Sequence, residues 1–182
     1  QWAPRVVAKD IHDYELVMKR QGLKGPAIFG RNATGEPVTP EDRPEYFPVQ
    51  FSEPSEFNRS TLGFDHASDP DRLSAMIRAR ETEALASTKI ITIYRSRSSE
   101  SAPFPGFVAY MPVFKSDASK RHAPRPAQML EGYVAAVFRA EELVTALLSR
   151  IKSTDTDITV SAEGAAAGQT VTLYRSNVRQ GA

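Results

Sequence analysis

Apolar positions along the chain switch repeatedly between the three-to-four spacing of a helix face and the alternation of a strand. From Arg5 to Gln21, Val7, Ile11, Tyr14 and Met18 fall on one helical face, and Gly22 is a stop signal. Ala27-Ile28-Phe29 predicts a short strand, and Asn32 to Glu36 a turn with Gly35 in it. Tyr46 to Phe51 is strand-like, but Pro48 has no N–H to donate, which predicts an edge or bulged strand. Asp69-Pro70 is the sharpest local signal, an N-cap acid followed by Pro at the first helical position. It opens a helix running to about Ala84, with Leu73, Met76, Ile77 and the stem of Arg80 inward.

Three strand candidates come next, Lys89 to Arg95, Phe107 to Phe114 and Gly132 to Phe138, each rich in β-branched or aromatic residues. The polar loops between them are Ser96 to Pro105 and the basic Lys115 to Pro126. Glu141 and Glu142 sit where a helix N-terminus favours negative charge, and Leu143, Val144, Leu147, Leu148 and Ile151 form that helix's apolar stripe. Asp157 to Ser161 and Thr170 to Tyr174 predict a closing hairpin. Connections this short do not accommodate parallel crossovers, so Glu45 to Phe138 is expected to hold one antiparallel five-stranded sheet. The fold class is α+β, and a five-stranded antiparallel sheet with helices on one side is the arrangement of PAS-like sensor domains.

Composition narrows the function. With 23 Lys+Arg against 22 Asp+Glu, the net charge is +1, which argues against a dedicated nucleic-acid binder with its strong basic field. The 182 residues suit one domain or one and a half. No apolar run approaches the roughly 18 residues of a membrane helix. The absence of cysteine excludes disulfides, thiolate metal sites and cysteine nucleophiles. The start at Gln1-Trp2-Ala3-Pro4-Arg5 shows no signal peptide, and the chain reads as a piece of something longer.

Candidate chemistry is sparse. His12, His66 and His122 are too scattered for a metal motif and are expected on the surface or in loops. There is no phosphate loop and no nucleophile elbow, and Ser149-Arg150-Ile151-Lys152 matches Ser-x-x-Lys only formally, at a helix end. Lys115, Lys120, Arg121 and Arg125 lack the interleaved aromatics of a strand-binding surface and read as a solvated loop. Asp65, in Leu62-Gly63-Phe64-Asp65, lies where a sheet and a helix meet. A carboxylate there must reach water, cap a turn or receive donors, since burying it unpaired is costly. Both an Asx-turn near Ser68 and a ligand contact are open to it.

Several segments, read together, resemble a CHASE domain, the extracytoplasmic sensory module of membrane histidine kinases and cyclases. They are Trp2-Ala3-Pro4-Arg5-Val6, Glu45-Tyr46-Phe47-Pro48-Val49 with Glu53-Pro54 and Asn58, and Leu62-Gly63-Phe64-Asp65. Ser68-Asp69-Pro70-Asp71-Arg72, Arg78-Ala79-Arg80-Glu81-Thr82, Gly106-Phe107 with Met111-Pro112-Val113-Phe114, and Leu130-Glu131-Gly132-Tyr133 with Val137-Phe138-Arg139 continue the match to about Leu148. The resemblance implies a long N-terminal helix followed by two PAS-like units. Residues 1–22 would be the helical lead-in, 23–139 the membrane-distal ligand-binding unit, and 140–182 part of a reduced membrane-proximal unit.

It also implies a small-molecule ligand in the distal unit, no catalysis and no cofactor, a membrane-tethered and homodimeric parent, and a periplasmic or extracellular location. In plant cytokinin receptors of this family an aspartate binds the adenine ring. An ungapped count back from Arg78-Ala79-Arg80-Glu81-Thr82 puts that aspartate at Asp65. The implied ligand-binding set is Asp65, Phe64, Ser87, Phe107, Tyr110, Ala135 and Phe138. Tyr110 replaces a small polar residue, and Ala135 and Ala136 replace glycines, so the pocket should be smaller than in those receptors. An adenine derivative, an amino acid or another nitrogenous compound fits a carboxylate partner. The competing reading is an interaction domain whose interior is packed by Tyr110, Phe107 and Phe138 and which signals through protein contacts.

Overall fold

A computed structural model of the chain describes residues 1–94, 102–115, 129–149, 158–164 and 168–175. Strands β1 (Trp2–Pro4) and β2 (Val6–Val7) precede helix α1 (Ile11–Arg20). The hairpin of β3 (Gly30–Arg31) and β4 (Pro37–Val38), strand β5 (Glu45–Tyr46) and the short α2 (Ser55–Asn58) lead to α3 (Pro70–Thr82). Then follow β6 (Ala86–Ser87), β7 (Ile91–Ile93), β8 (Phe104–Phe114), β9 (Leu130–Arg139), α4 (Ala140–Leu148), β10 (Thr159–Glu163) and β11 (Thr170–Arg175).

The main sheet has five antiparallel strands in the order β1-β9-β8-β6, with β7 also paired to β8. Its centre is the long β8–β9 pair, where Phe107 opposes Phe138 and Tyr110 opposes Ala135. That pairing and the β10–β11 hairpin fall where the residue pattern predicts them. The membership of the other strands does not. The segments expected as the first two strands stay outside the sheet: Phe29 and Pro48 make only isolated bridges, to Phe64 and Asp65. The 61–66 segment runs between them and takes their hydrogen bonds, Phe29 N–H donating to Gly63 and Val49 N–H to Phe64. Gly63 permits this at φ +84, and a Cβ there would meet the Ala27 carbonyl oxygen at 2.7 Å.

The vacant edge of β9 is filled instead by Trp2–Pro4, within the stretch expected to be a helical lead-in. Pro4 biases its neighbour toward extended backbone, and its missing N–H is tolerated on an edge. Gly132, opposite Pro4, admits the close approach, since a Cβ there would lie 2.4 Å from the Ala3 oxygen. Helix α1 accordingly begins at Ile11 rather than near Arg5.

Helix α3 lies against the sheet. Asp69 Oδ1 accepts from Arg72 N–H at 3.0 Å and Pro70 opens the first turn, as the sequence predicts. The buried face is Arg72, Ala75, Met76 and Ala79, rotated from the expected Leu73-Met76-Ile77-Arg80 face. Ala75 and Ala79 let the helix backbone come close enough for Tyr133 Oη to donate to the Met76 carbonyl at 2.9 Å. These residues join Phe47, Ala67, Ile91, Ile93, Val108, Tyr110, Leu130 and Ala135 in the main core. A second cluster of Val6, Met18, Ala27, Ile28 and Tyr46 seats α1. Among the described residues no helix is long and apolar enough to cross a membrane. Most of the basic loop, with Lys120, Arg121, His122 and Arg125, lies outside the described residues, as do 95–101 of the preceding loop.

Candidate functional site

A cavity of about 720 Å³ opens between the sheet and the N-terminus of α3. Residues paired across β8 and β9 share one face, so the register that sets Tyr110 opposite Ala135 also presents Val137 and Arg139 to that side. Phe104 and Ile93 continue the sheet wall. Asp69, Pro70 and Arg72 come from the start of α3, Arg31 from the β3–β4 hairpin, Ser52 and Glu53 from the segment before α2, and Phe64 from the bridging segment.

Three guanidinium groups converge on aromatic rings in this wall. Arg72 lies 5.1 Å and Arg31 5.7 Å from the Phe64 centroid, and Arg139 lies 4.0 Å from that of Phe104. Cation–π attraction of this kind is strongest where water is excluded. Arg139 Nε also stands 3.4 Å from Glu142 Oε1. Arg72 is the most buried of the three, its side chain 7% exposed, although it sits in the first turn of a helix where the macrodipole disfavours a cation. Asp69 offsets this with Oδ2 3.8 Å from Arg72 Nε, too long for a hydrogen bond. Arg72 Nε and Ser52 Oγ are both buried and have no hydrogen-bond partner among the described residues.

Behind Phe64 lies a polar layer sealed from water. His66 Nδ1 contacts Tyr110 Oη at 2.8 Å and Arg72 Nη1 at 3.3 Å. A guanidinium only donates, so Nδ1 is the acceptor and the neutral ring carries its proton on Nε2. Burial first, and then the Arg72 charge, hold the His66 pKa well below its ordinary value. Burial likewise pushes the Tyr110 hydroxyl up to about 12. His66 lies in a short turn, in keeping with a loop position, but is a fully buried neutral histidine and not a surface one, whereas His12 is exposed.

Of the seven residues implied as ligand-binding, Phe64 and Ala135 line the cavity. Tyr110 is one layer behind. Asp65 is fully buried and does not border the cavity. Its Oδ1 accepts from Phe47 N–H at 2.8 Å and Ala67 N–H at 3.1 Å, and its Oδ2 receives Arg43 Nη2. It caps the short turn at His66–Ser68, the Asx-type geometry. Burial pushes its carboxyl pKa up, against the pull of the Phe47 amide, the Arg43 charge and the Ala67 amide. Ser87 is on the exposed strand β6, with its carbonyl accepting from Arg78 Nη2 at 2.6 Å. Phe107 and Phe138 stack on each other at 4.9 Å on the opposite face of the sheet.

The arginines are what the residue pattern did not single out. Residues 31, 72 and 139 share no motif, and the one available signal was the misplaced charge of Arg72 in a helix's first turn. The cavity offers donors and aromatic faces. Among the described residues no group of three or more His, Asp or Glu side chains is placed to hold a metal. The CHASE domain family matches the chain over residues 1–174. No curated protein matches it.

Proposed function

The chain belongs to the CHASE domain family, an extracytoplasmic sensory module of membrane receptors, and from that premise we propose that this cavity is the ligand site of such a receptor. The single observation that carries the reading is a cavity of about 720 Å³ walled by a buried arginine stacked on Phe64. That volume lies within the range of small-molecule sites. Phe64 and Ala135 contact the ligand, while Tyr110 and Asp65 hold the wall from behind. The parent is a membrane-tethered homodimer that passes ligand binding to a cytoplasmic kinase or a cyclase/phosphodiesterase output. In domain terms, residues 1–22 are the lead-in, 23–139 the PAS-like ligand unit, and 140–182 part of a second, smaller unit.

Native mass spectrometry of the purified chain, followed by small-molecule extraction, tests the reading. A stoichiometric small molecule that is lost in Phe64→Ala is expected. A chain that retains none, and whose melting temperature no member of a metabolite panel raises, overturns it. A second reading has its own observation: Phe138, Met111 and Val134 are 37%, 42% and 50% exposed on the back of the sheet. Such a face suits protein contacts, and in that reading the module signals without a small ligand.

A further inference from the structure

The cavity wall has a chemical sign. Arg72 Nε is a charged donor and Ser52 Oγ a neutral one, each buried in the same wall and each without a hydrogen-bond partner among the described residues. Buried donors are nearly always satisfied, and leaving one unmade is expensive. Orphaned atoms also occur at Tyr14 Oη, Arg43 Nε and His66 Nε2, but none of these residues borders this cavity. Arg72 and Ser52 come from separate segments and line one open volume, and their two unmade bonds point to an acceptor that the chain itself does not supply.

Each acid of the wall already faces a donor or a cation of the chain. Asp69 caps α3 with one oxygen and holds the other 3.8 Å from Arg72 Nε, Glu142 lies against Arg139, and Glu53 Oε2 accepts from Ser55 N–H at 3.0 Å. Asp65, the carboxylate that would attract a nitrogenous cation, is closed off by Arg43 and two amides. The remaining lining mixes polar residues, among them Asn32, Asn58, Thr61 and Thr92, with an apolar patch of Phe64, Phe104, Ile93 and Val137.

We propose that the ligand is an organic anion, a carboxylate on an apolar or aromatic body, whose oxygens accept from Arg72 Nε and Ser52 Oγ while the body rests on Phe64. A guanidinium edge pairs with a carboxylate in the strongest class of hydrogen bond available to a protein. Because Arg72 Nη1 already donates to His66, the arginine is preset and loses little freedom on binding. The assignment rests on the cavity being the ligand site.

Three compounds sharing one body and differing in head group test it: phenylacetate, phenylacetamide and phenethylamine, titrated into the 182-residue chain by calorimetry. Phenylacetate is expected to bind at least tenfold more tightly than the amide, and the amine not at all. Arg72→Gln should lose that preference. Arg78→Gln, on the exposed side of the same helix, should keep it. Since Arg72→Gln touches the polar layer and can disturb folding, Ser52→Ala supplies an independent reading. It removes only an orphaned hydroxyl, so the melting temperature should hold or rise while phenylacetate affinity falls several-fold. Equal binding of all three head groups, or tighter binding of the amine, overturns the anion assignment and leaves the ligand site standing. Binding of none overturns the anion assignment, and if extraction also yields nothing, the site reading falls with it.

Discussion

Two ion pairs differ in their hydrogen-bond balance: Asp65 is fully buried beside Arg43, whereas Asp69 is half-buried beside a buried Arg72. In the Arg43–Asp65 pair the carboxylate receives the guanidinium and two main-chain amides, and Arg43 also donates to the Ala67 carbonyl. In the Arg72–Asp69 pair the acid spends one oxygen on the helix cap and leaves the other 3.8 Å from a guanidinium nitrogen that finds no hydrogen bond. Arg43 Nε, like Arg72 Nε, has no partner among the described residues, so the carboxylates separate the pairs: Asp65 is saturated and away from the cavity (the closed pair), whereas Asp69 keeps an oxygen unbonded on its wall (the open pair). A saturated buried carboxylate holds the chain together, whereas an arginine with an undersatisfied acid beside a cavity is poised to meet something else. The aspartate implied as ligand contact by family resemblance sits in the closed pair.

The largest expected effect follows from breaking the closed pair. Asp65→Ala strands the Arg43 charge and two amides, and should cost about 3–5 kcal/mol in chemical denaturation. Asp65→Asn should also destabilise the empty protein, because an amide nitrogen would face the guanidinium. If Asp65 instead contacted ligand from an open cavity, the empty protein would be as stable as wild type. Full stability of Asp65→Asn therefore removes the contrast between the pairs.

Next in size is a pH effect from the layer between the pairs. His66 has a folded pKa well below its unfolded value of about 6.5, so below that pH the unfolded chain takes a proton that the folded chain refuses. Stability from this group is thus complete above about pH 6.5 and falls as the pH drops. Until the folded group itself titrates, the loss can reach at most about 1.4 kcal/mol per pH unit. The raised Asp65 carboxyl pulls with the opposite sign, so the measurement is the difference between wild type and His66→Gln. Parallel pH profiles for the two would show that His66 is hydrated after all.

The open pair gives smaller changes that separate its two jobs. Asp69→Ala should lower stability by about 1 kcal/mol, the usual loss of an N-cap acid. Asp69→Asn keeps a capping oxygen, so the melting temperature should barely move while phenylacetate binds several-fold more tightly to an arginine with no competing acid. An unchanged affinity would mean that Asp69 does not compete. Smallest of all, Tyr110→Phe removes one hydroxyl from His66 Nδ1 but leaves Arg72 as its donor. The expected loss is roughly 0.5–1 kcal/mol in thermal unfolding.

What the amino-acid order determined alone is what acts within a few residues. The Asp69-Pro70 start of α3, the turn around Gly35, the dense β-branched and aromatic stretches of β8 and β9 and the closing hairpin were legible because capping, turn chemistry and alternation are local. Tertiary structure decided the rest. Trp2–Pro4 became an edge strand because the side of β9 beside Gly132 needed a partner, and no local preference for helix in the following residues reports that vacancy. Asp65 became a closed charge because Arg43, 22 positions away, reaches it. The cavity draws its donors from residues 52 and 72, and its flanking cation from residue 31, which share no spacing. Whether a polar atom is satisfied depends on every group that folding brings within hydrogen-bond reach, and that is a property of three dimensions which no period along the chain encodes.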